Sequence, residues 1–290
     1  MNFHYPSHYT DINGSKIHYI EQGEGDPILF LHGFPTSSYV WRKVIPHLST
    51  LGRCIAPDLL GMGNSDKPDI GYTIDDHVNT IEKFIETLKL KNITLVMHGW
   101  GSVIGFTLAM KNPSNYKGLV FYEAYLRSKN GDDLSLPFLE QINFLEKQKN
   151  LEDLMMNSSY LVDIVLPQSM MQTLSKEELD QYRKPFLTKN SGKVLYQYWK
   201  ELPRGDNNPV ENLIADYSKK LTQSQLPKLM LYSIPGFITT VATLMWAKEH
   251  FPNLQIAEVG EDLHYAQESH ATLMGETISA WLQSIEQRLP

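Results

Sequence analysis

The stretch Val96-Met97-His98-Gly99-Trp100-Gly101 decides how the chain folds. It follows Ile93–Met97, an apolar run short enough for a buried strand. It leads into a helical run from Val103 to Met110, which Asn112-Pro113 stops. A buried strand that turns into a helix through small residues is the sequence form of a nucleophile elbow. The tight turn lifts one side chain above the sheet, and small neighbours let strand and helix approach closely. The lifted position here is Gly99. Glycine accepts the strained turn but carries no group that can attack a carbon. By itself the stretch is equally consistent with a plain strand–glycine–helix connection. Ser102 is a nucleophile by type, yet it lies one helical turn further on and points elsewhere.

The flanking sequence repeats this alternation. Ile28–Leu31 reads as a buried strand ending at His32-Gly33-Phe34-Pro35, and Cys54-Ile55-Ala56 as another ending at Pro57-Asp58. The glycines of Leu59–Gly63 mark a loop. Thr73–Leu88 reads as a helix, because Ile74, Val78, Ile81, Ile85 and Leu88 share one face. Gly118–Tyr122 reads as a strand with Glu123 at its end. Upstream, Asn13-Gly14 sits between two extended runs in 7–22 and predicts a tight hairpin. The alternation predicts an α/β fold with a mostly parallel sheet and helices on both faces. Residues 130–220 break the pattern, with no strong strand signal and helical spacing around 138–148, 153–165 and 175–187. Leu226–Ser233 resumes the strand pattern, Pro235-Gly236 turns away, 240–250 reads as helix, Gln255–Val259 as the last strand and 270–288 as a closing helix. The expected organisation is an α/β core in 1–127 and 221–290, interrupted by a helical cap in 128–220.

Four further positions carry chemistry. The loop after the first buried strand supplies one backbone N–H to an oxyanion hole in elbow enzymes, and the residue after the nucleophile supplies the other. Those positions are Phe34 and Trp100. Glu123 lies where a parallel sheet offers its ligand-binding edge and is placed to orient a histidine. His264, in the loop after the last strand, is placed to reach over the elbow, with Asp262 as a competing acid. The aromatic run Tyr196-Gln197-Tyr198-Trp199 reads first as packing within the cap and second as a pocket wall.

The composition bounds the function classes. The chain has 290 residues, 42% hydrophobic and 20% charged, with a net charge of −7 and a single cysteine, Cys54. An acidic chain argues against nucleic-acid binding. One cysteine excludes an internal disulfide and a cysteine-rich metal site. His32 and His98 end neighbouring strands, but no HxxxH or HExxH spacing accompanies them. No glycine-rich phosphate loop is present, so neither a metal nor an organic cofactor is expected. No apolar run is long enough to span a membrane, and the N-terminus does not read as a signal peptide. A cytoplasmic protein acting on a small apolar molecule is expected.

Several longer stretches extend this reading. They are His32-Gly33-Phe34-Pro35-Thr36-Ser37-Ser38-Tyr39-Val40-Trp41-Arg42, Pro57-Asp58-Leu59-Leu60-Gly61-Met62-Gly63-Asn64-Ser65-Asp66-Lys67-Pro68 and His98-Gly99-Trp100-Gly101-Ser102. With them go Tyr122-Glu123-Ala124, Tyr182-Arg183-Lys184-Pro185-Phe186 and Leu263-His264-Tyr265-Ala266-Gln267-Glu268. Through them the chain resembles, over almost its whole length, the haloalkane dehalogenase family of the α/β-hydrolase fold, with relatives among epoxide hydrolases and coelenterazine luciferases. The resemblance implies a mechanism in which an aspartate displaces halide to form an ester, and a histidine oriented by an acid then activates water to hydrolyse it. His264 matches the histidine, Glu123 the acid and Trp100 a halide-holding tryptophan. Gly99 stands at the aspartate position. Phe34 stands where an asparagine usually holds the halide, which is similar to the epoxide-hydrolase and fluoroacetate-dehalogenase relatives. Three readings stay open. The chain is a dehalogenase-type enzyme whose aspartate has been replaced, a natural enzyme using His264 and Glu123 without a covalent intermediate, or a noncatalytic binding protein.

Overall fold

The computed structural model describes residues 5–128, 134–204 and 208–287. Eight strands among them form one sheet: β1 (Ser7–Ile12), β2 (Ser15–Gln22), β3 (Pro27–Leu31), β4 (Arg53–Pro57), β5 (Ile93–Gly99), β6 (Tyr116–Ala124), β7 (Lys228–Pro235) and β8 (Leu254–Asp262). Their spatial order is β1-β2-β4-β3-β5-β6-β7-β8. The β1–β2 hairpin turns at Asn13-Gly14, and both it and the β2–β4 pair are antiparallel. From β4 to β8 every pair is parallel. All residues of β3 and β5 are buried, as strands covered on both faces must be.

Helix α1 (Ile74–Thr87) begins at a capping box in which the Thr73 hydroxyl accepts from Asp76 N–H and the Asp76 carboxylate accepts from Thr73 N–H. Helix α2 (Trp100–Lys111) starts directly at the end of β5, three residues earlier than the sequence pattern predicts. The glycine at 101 does not break the helix. It lets α2 approach β3, because a Cβ there would lie 2.3 Å from the Leu31 carbonyl oxygen. The strands also run further than read, so that Glu123 and Asp262 lie within β6 and β8 rather than beyond them.

Between β6 and β7 the chain is helical: α3 (Leu136–Glu146), α4 (Leu151–Asn157), a π-helical turn at Leu161–Val165 leading into α5 (Leu166–Gln168), α6 (Lys176–Arg183), α7 (Lys193–Glu201) and α8 (Pro209–Leu221). Helix α8 packs on α2, with the rings of Phe106 and Tyr217 5.4 Å apart. That contact ties it to the layer beside the sheet although it falls inside the segment expected to form the cap. The chain closes with α9 (Val241–His250), the short α10 (Ala266–Ser269), which the sequence pattern does not mark, and α11 (Ala271–Glu286), the expected closing helix. Its expected end at 288 and the insertion residues 130–133 lie outside the described residues.

A buried charge cluster joins the layers. Arg42 donates to both Glu268 carboxylate oxygens, at 2.5 and 2.7 Å, and to Glu178 of α6 at 2.6 Å. Tyr182 of α6 also donates to Glu268. Removing one partner would leave the others as uncompensated buried charge.

Three buried histidines are held neutral by burial: His32, His77 and His98 all titrate below the ordinary range, His77 at about 4. In the unfolded chain each takes up a proton near pH 6.5. Their contribution to stability is therefore complete above that pH and is lost as pH falls toward the folded value. His77 alone is expected to remove roughly 2 kcal/mol between about pH 7.5 and about pH 5. Urea unfolding at the two pH values checks this, and His77→Leu should flatten the slope between them.

Candidate active site

The elbow is built by β5 and α2. Gly99 ends the strand at φ 51° and ψ −122°, a region that L side chains enter only under strain. A Cβ placed on it would meet His264 Nε2 at 3.5 Å and the Gly33 Cα at 3.6 Å, ordinary van der Waals contacts. The turn therefore has room for the first atom of a side chain directed at the imidazole. Ser102 is not a substitute: its buried hydroxyl donates to the Gly99 carbonyl at 2.6 Å and accepts from Tyr125 N–H at 3.1 Å. Cys54 lies buried in β4, and burial pushes its thiol up to about 12. That chemistry leaves it inert as a nucleophile at neutral pH.

Glu123, fully buried at a φ of 48°, receives backbone N–H groups from Phe237 at 3.2 Å and Thr239 at 3.1 Å, with Ile238 between them. His264 Nδ1 lies 3.0 Å from its Oε2. A carboxylate at that distance places the proton on Nδ1 and makes Nε2, the nitrogen facing Gly99, the proton acceptor. Asp262, the competing acid, is turned away. It accepts from the backbone of Met171 at 3.1 Å and Leu263 at 2.7 Å, and from the Ser269 hydroxyl. Glu123 is thus the acid that orients His264.

Two other histidines hold the backbone around this pair. His98 Nε2 donates to the His264 carbonyl at 2.9 Å. His32 Nδ1 donates to the Gly33 carbonyl at 2.8 Å, while its Nε2 accepts from Leu59 N–H at 2.9 Å. With both nitrogens of His32 committed to backbone, it is a structural anchor and not a ligand. Among the described residues no group of His, Cys, Asp and Glu is arranged to hold a metal ion.

A small cavity of about 40 Å³ lies between these loops and the cap. Phe34, Phe237, His264 and Tyr265 line it from the core, and Phe138, Tyr198 and Trp199 from the cap. Its polar groups include the hydroxyls of Tyr125 and Tyr198, 3.2 Å apart, and the Gln141–Ser169 pair. Tyr198 closes the floor. It stacks on Phe34 with ring centroids 3.9 Å apart and meets Trp100 edge-on at 4.4 Å. Trp100 is therefore covered by the Tyr198 ring and does not line the cavity, whereas Phe34 and His264 do. The aromatic run of α7 serves both readings at once: Tyr196, Tyr198 and Trp199 are partly buried against the core, and Tyr198 and Trp199 also form pocket wall.

Residues 26–270 match the family model for the alpha/beta hydrolase fold. The chain is 35% identical to a haloalkane dehalogenase of Mesorhizobium japonicum over 279 residues, 93% of this chain and 89% of the relative. It is 34% identical to one of Agrobacterium fabrum over 274 residues, 94% of this chain and 90% of the relative. It superposes on the crystal structure of a haloalkane dehalogenase from Agrobacterium tumefaciens with a TM-score of 0.89 at 33% identity, covering 97% of each chain. For one from Bradyrhizobium elkani the TM-score is 0.92 at 31% identity, covering 98% of this chain and 99% of that one. The chain belongs to the haloalkane dehalogenase family.

Phe34, Trp100 and Tyr198 form one small surface beside Gly99: the Tyr198 ring stacks on Phe34 and lies across Trp100. Phe34 offers no side-chain donor to an anion, and the ring stacked on it covers the indole. Replacing Phe34 with asparagine removes the stacking partner and adds an amide donor. A hydrogen bond to a charged group contributes on the order of 1.5–3 kcal/mol. Bromide quenching of tryptophan fluorescence is expected to strengthen by about tenfold or more in Phe34→Asn. Unchanged quenching would mean that Tyr198 blocks the site on its own.

Proposed function

We propose that this chain is a dehalogenase-like hydrolase scaffold for small or medium apolar substrates, with the histidine–acid pair kept and the alkylating nucleophile absent. The observation that carries this reading is the Gly99 turn, whose missing Cβ would face His264 Nε2 at 3.5 Å. Without a carboxylate there, no alkyl–enzyme ester forms, and carbon–halogen hydrolysis is expected to be weak or absent.

The test is Gly99→Asp with a panel of primary haloalkanes. An aspartate at this φ costs on the order of 1–3 kcal/mol, so folding is checked in parallel by thermal melting. Halide release is expected from Gly99→Asp and not from the unaltered chain. In the double variant Gly99→Asp, His264→Phe the alkyl ester should accumulate on residue 99 and appear by mass spectrometry. A folded Gly99→Asp protein with neither turnover nor ester would contradict the reading.

A second reading rests on the intact Glu123–His264 pair. A buried, oriented base above an enclosed cavity suits noncovalent general-base hydrolysis, elimination or cyclisation. It requires product formation by the unaltered chain, lost in His264→Ala, with no covalent adduct. Saturable ligand binding without product, measured on a metabolite extract by mass spectrometry, would instead favour a noncatalytic binding protein.

A further inference from the structure

A second hydrogen-bonded constellation lies at the other side of the sheet, where β1, β2 and β4 meet. Ser7 opens the edge strand β1, is exposed, and has its hydroxyl 2.7 Å from His18 Nε2. His18, on β2 and buried, has its Nδ1 2.7 Å from Asp58 Oδ2. Asp58 follows β4, is buried, and also accepts backbone N–H groups from Ser38 and Asn64, both at 2.7 Å. Those bonds fix the carboxylate, and the carboxylate fixes the imidazole tautomer: Nδ1 carries the proton and Nε2 receives the serine hydroxyl. Serine, histidine and aspartate thus stand in donor-to-acceptor order, with the hydroxyl outermost. Such a constellation is recognised by geometry and role rather than by chain position.

The surroundings suit a reaction at Ser7. It opens onto a surface cleft shared with Asn64, Gln181 and Lys184. All three side chains carry hydrogen-bond donors. None of the three constellation residues belongs to the Glu123–His264 site, which lies at the ends of β5, β6 and β8. The backbone N–H of His18 donates to the Ser65 hydroxyl at 2.9 Å, so the base is held from its main chain as well.

We propose that Ser7, His18 and Asp58 form a second, acyl-transfer site that takes small carboxylic esters. Ser7 Oγ attacks the ester carbonyl carbon while His18 Nε2 takes the hydroxyl proton. The C–O bond to the alcohol breaks, and the alcohol leaves with that proton. Water, deprotonated by the same nitrogen, then releases the carboxylic acid and restores the serine hydroxyl. No other reactant is needed.

The test uses a fluorophosphonate, in which serine displaces fluoride from phosphorus, followed by peptide mass spectrometry on the full chain. Label is expected on Ser7, absent in Ser7→Ala and retained in His264→Ala. Ser7 is exposed and its hydroxyl's stated partner is His18, so Ser7→Ala is expected to melt at the same temperature as the unaltered chain. Hydrolysis of p-nitrophenyl acetate should fall at least tenfold in Ser7→Ala. The proposal is overturned if the folded, unaltered chain takes no label on Ser7, or if ester hydrolysis survives in Ser7→Ala. Because the label is mapped to Ser7 itself, failure here is independent of failure of the dehalogenase-like reading.

Discussion

The structure depends on how one buried carboxylate is satisfied. Glu123 sits inside the sheet with no exposure, so its charge must be compensated within hydrogen-bond reach. Backbone N–H groups of residues 237–239 and His264 Nδ1 do this together. The consequence is mechanical as well as electrostatic. The end of β6, the loop after β7 and the loop after β8 are tied to one point. His264 is fixed in the tautomer that turns Nε2 toward Gly99. Any chemistry at this site begins from that fixed nitrogen.

What faces the nitrogen is a turn shaped for a side chain that the chain does not supply. On the proposed reading, a base pair without a nucleophile changes the reaction open to the site rather than the fold. The same loops still position backbone and base, but the covalent step has no attacking atom. Tyr198 adds to this by covering Trp100 and stacking on Phe34, so that the surface where a leaving halide would be held is aromatic and closed.

The core of the fold was legible because it follows from local patterns. Short apolar runs end at Gly33, Asp58 and Gly99, and a 3.6-residue apolar stripe marks α1. The elbow and the positions of Glu123 and His264 were legible for the same reason: each lies just at or after a strand end of a parallel sheet. The choice between Glu123 and Asp262 was not, because both sit at strand ends and only the path of the 237–239 backbone decides which carboxylate meets the imidazole. Tyr198 was hidden for a different reason. Its spacing within α7 is that of an ordinary packed helix, and its position over Trp100 depends on how the cap settles on the core, a contact between residues 98 positions apart in the chain. Likewise, helical periodicity in 209–221 says that a helix forms, not that it packs on α2. The Ser7–His18–Asp58 set left no signal at all, since its members come from the start of β1, the middle of β2 and the end of β4, and meet only through antiparallel pairing of β2 with β1 and β4.

The central claim is that the Gly99 turn is preserved as a nucleophile position facing His264. The most direct measurement is a crystal structure of Gly99→Asp. The account predicts unchanged φ and ψ at 99, with a carboxylate oxygen within about 3.5 Å of His264 Nε2 and the Glu123–His264 bond intact. A relaxed turn, or a carboxylate directed away from His264, would contradict it.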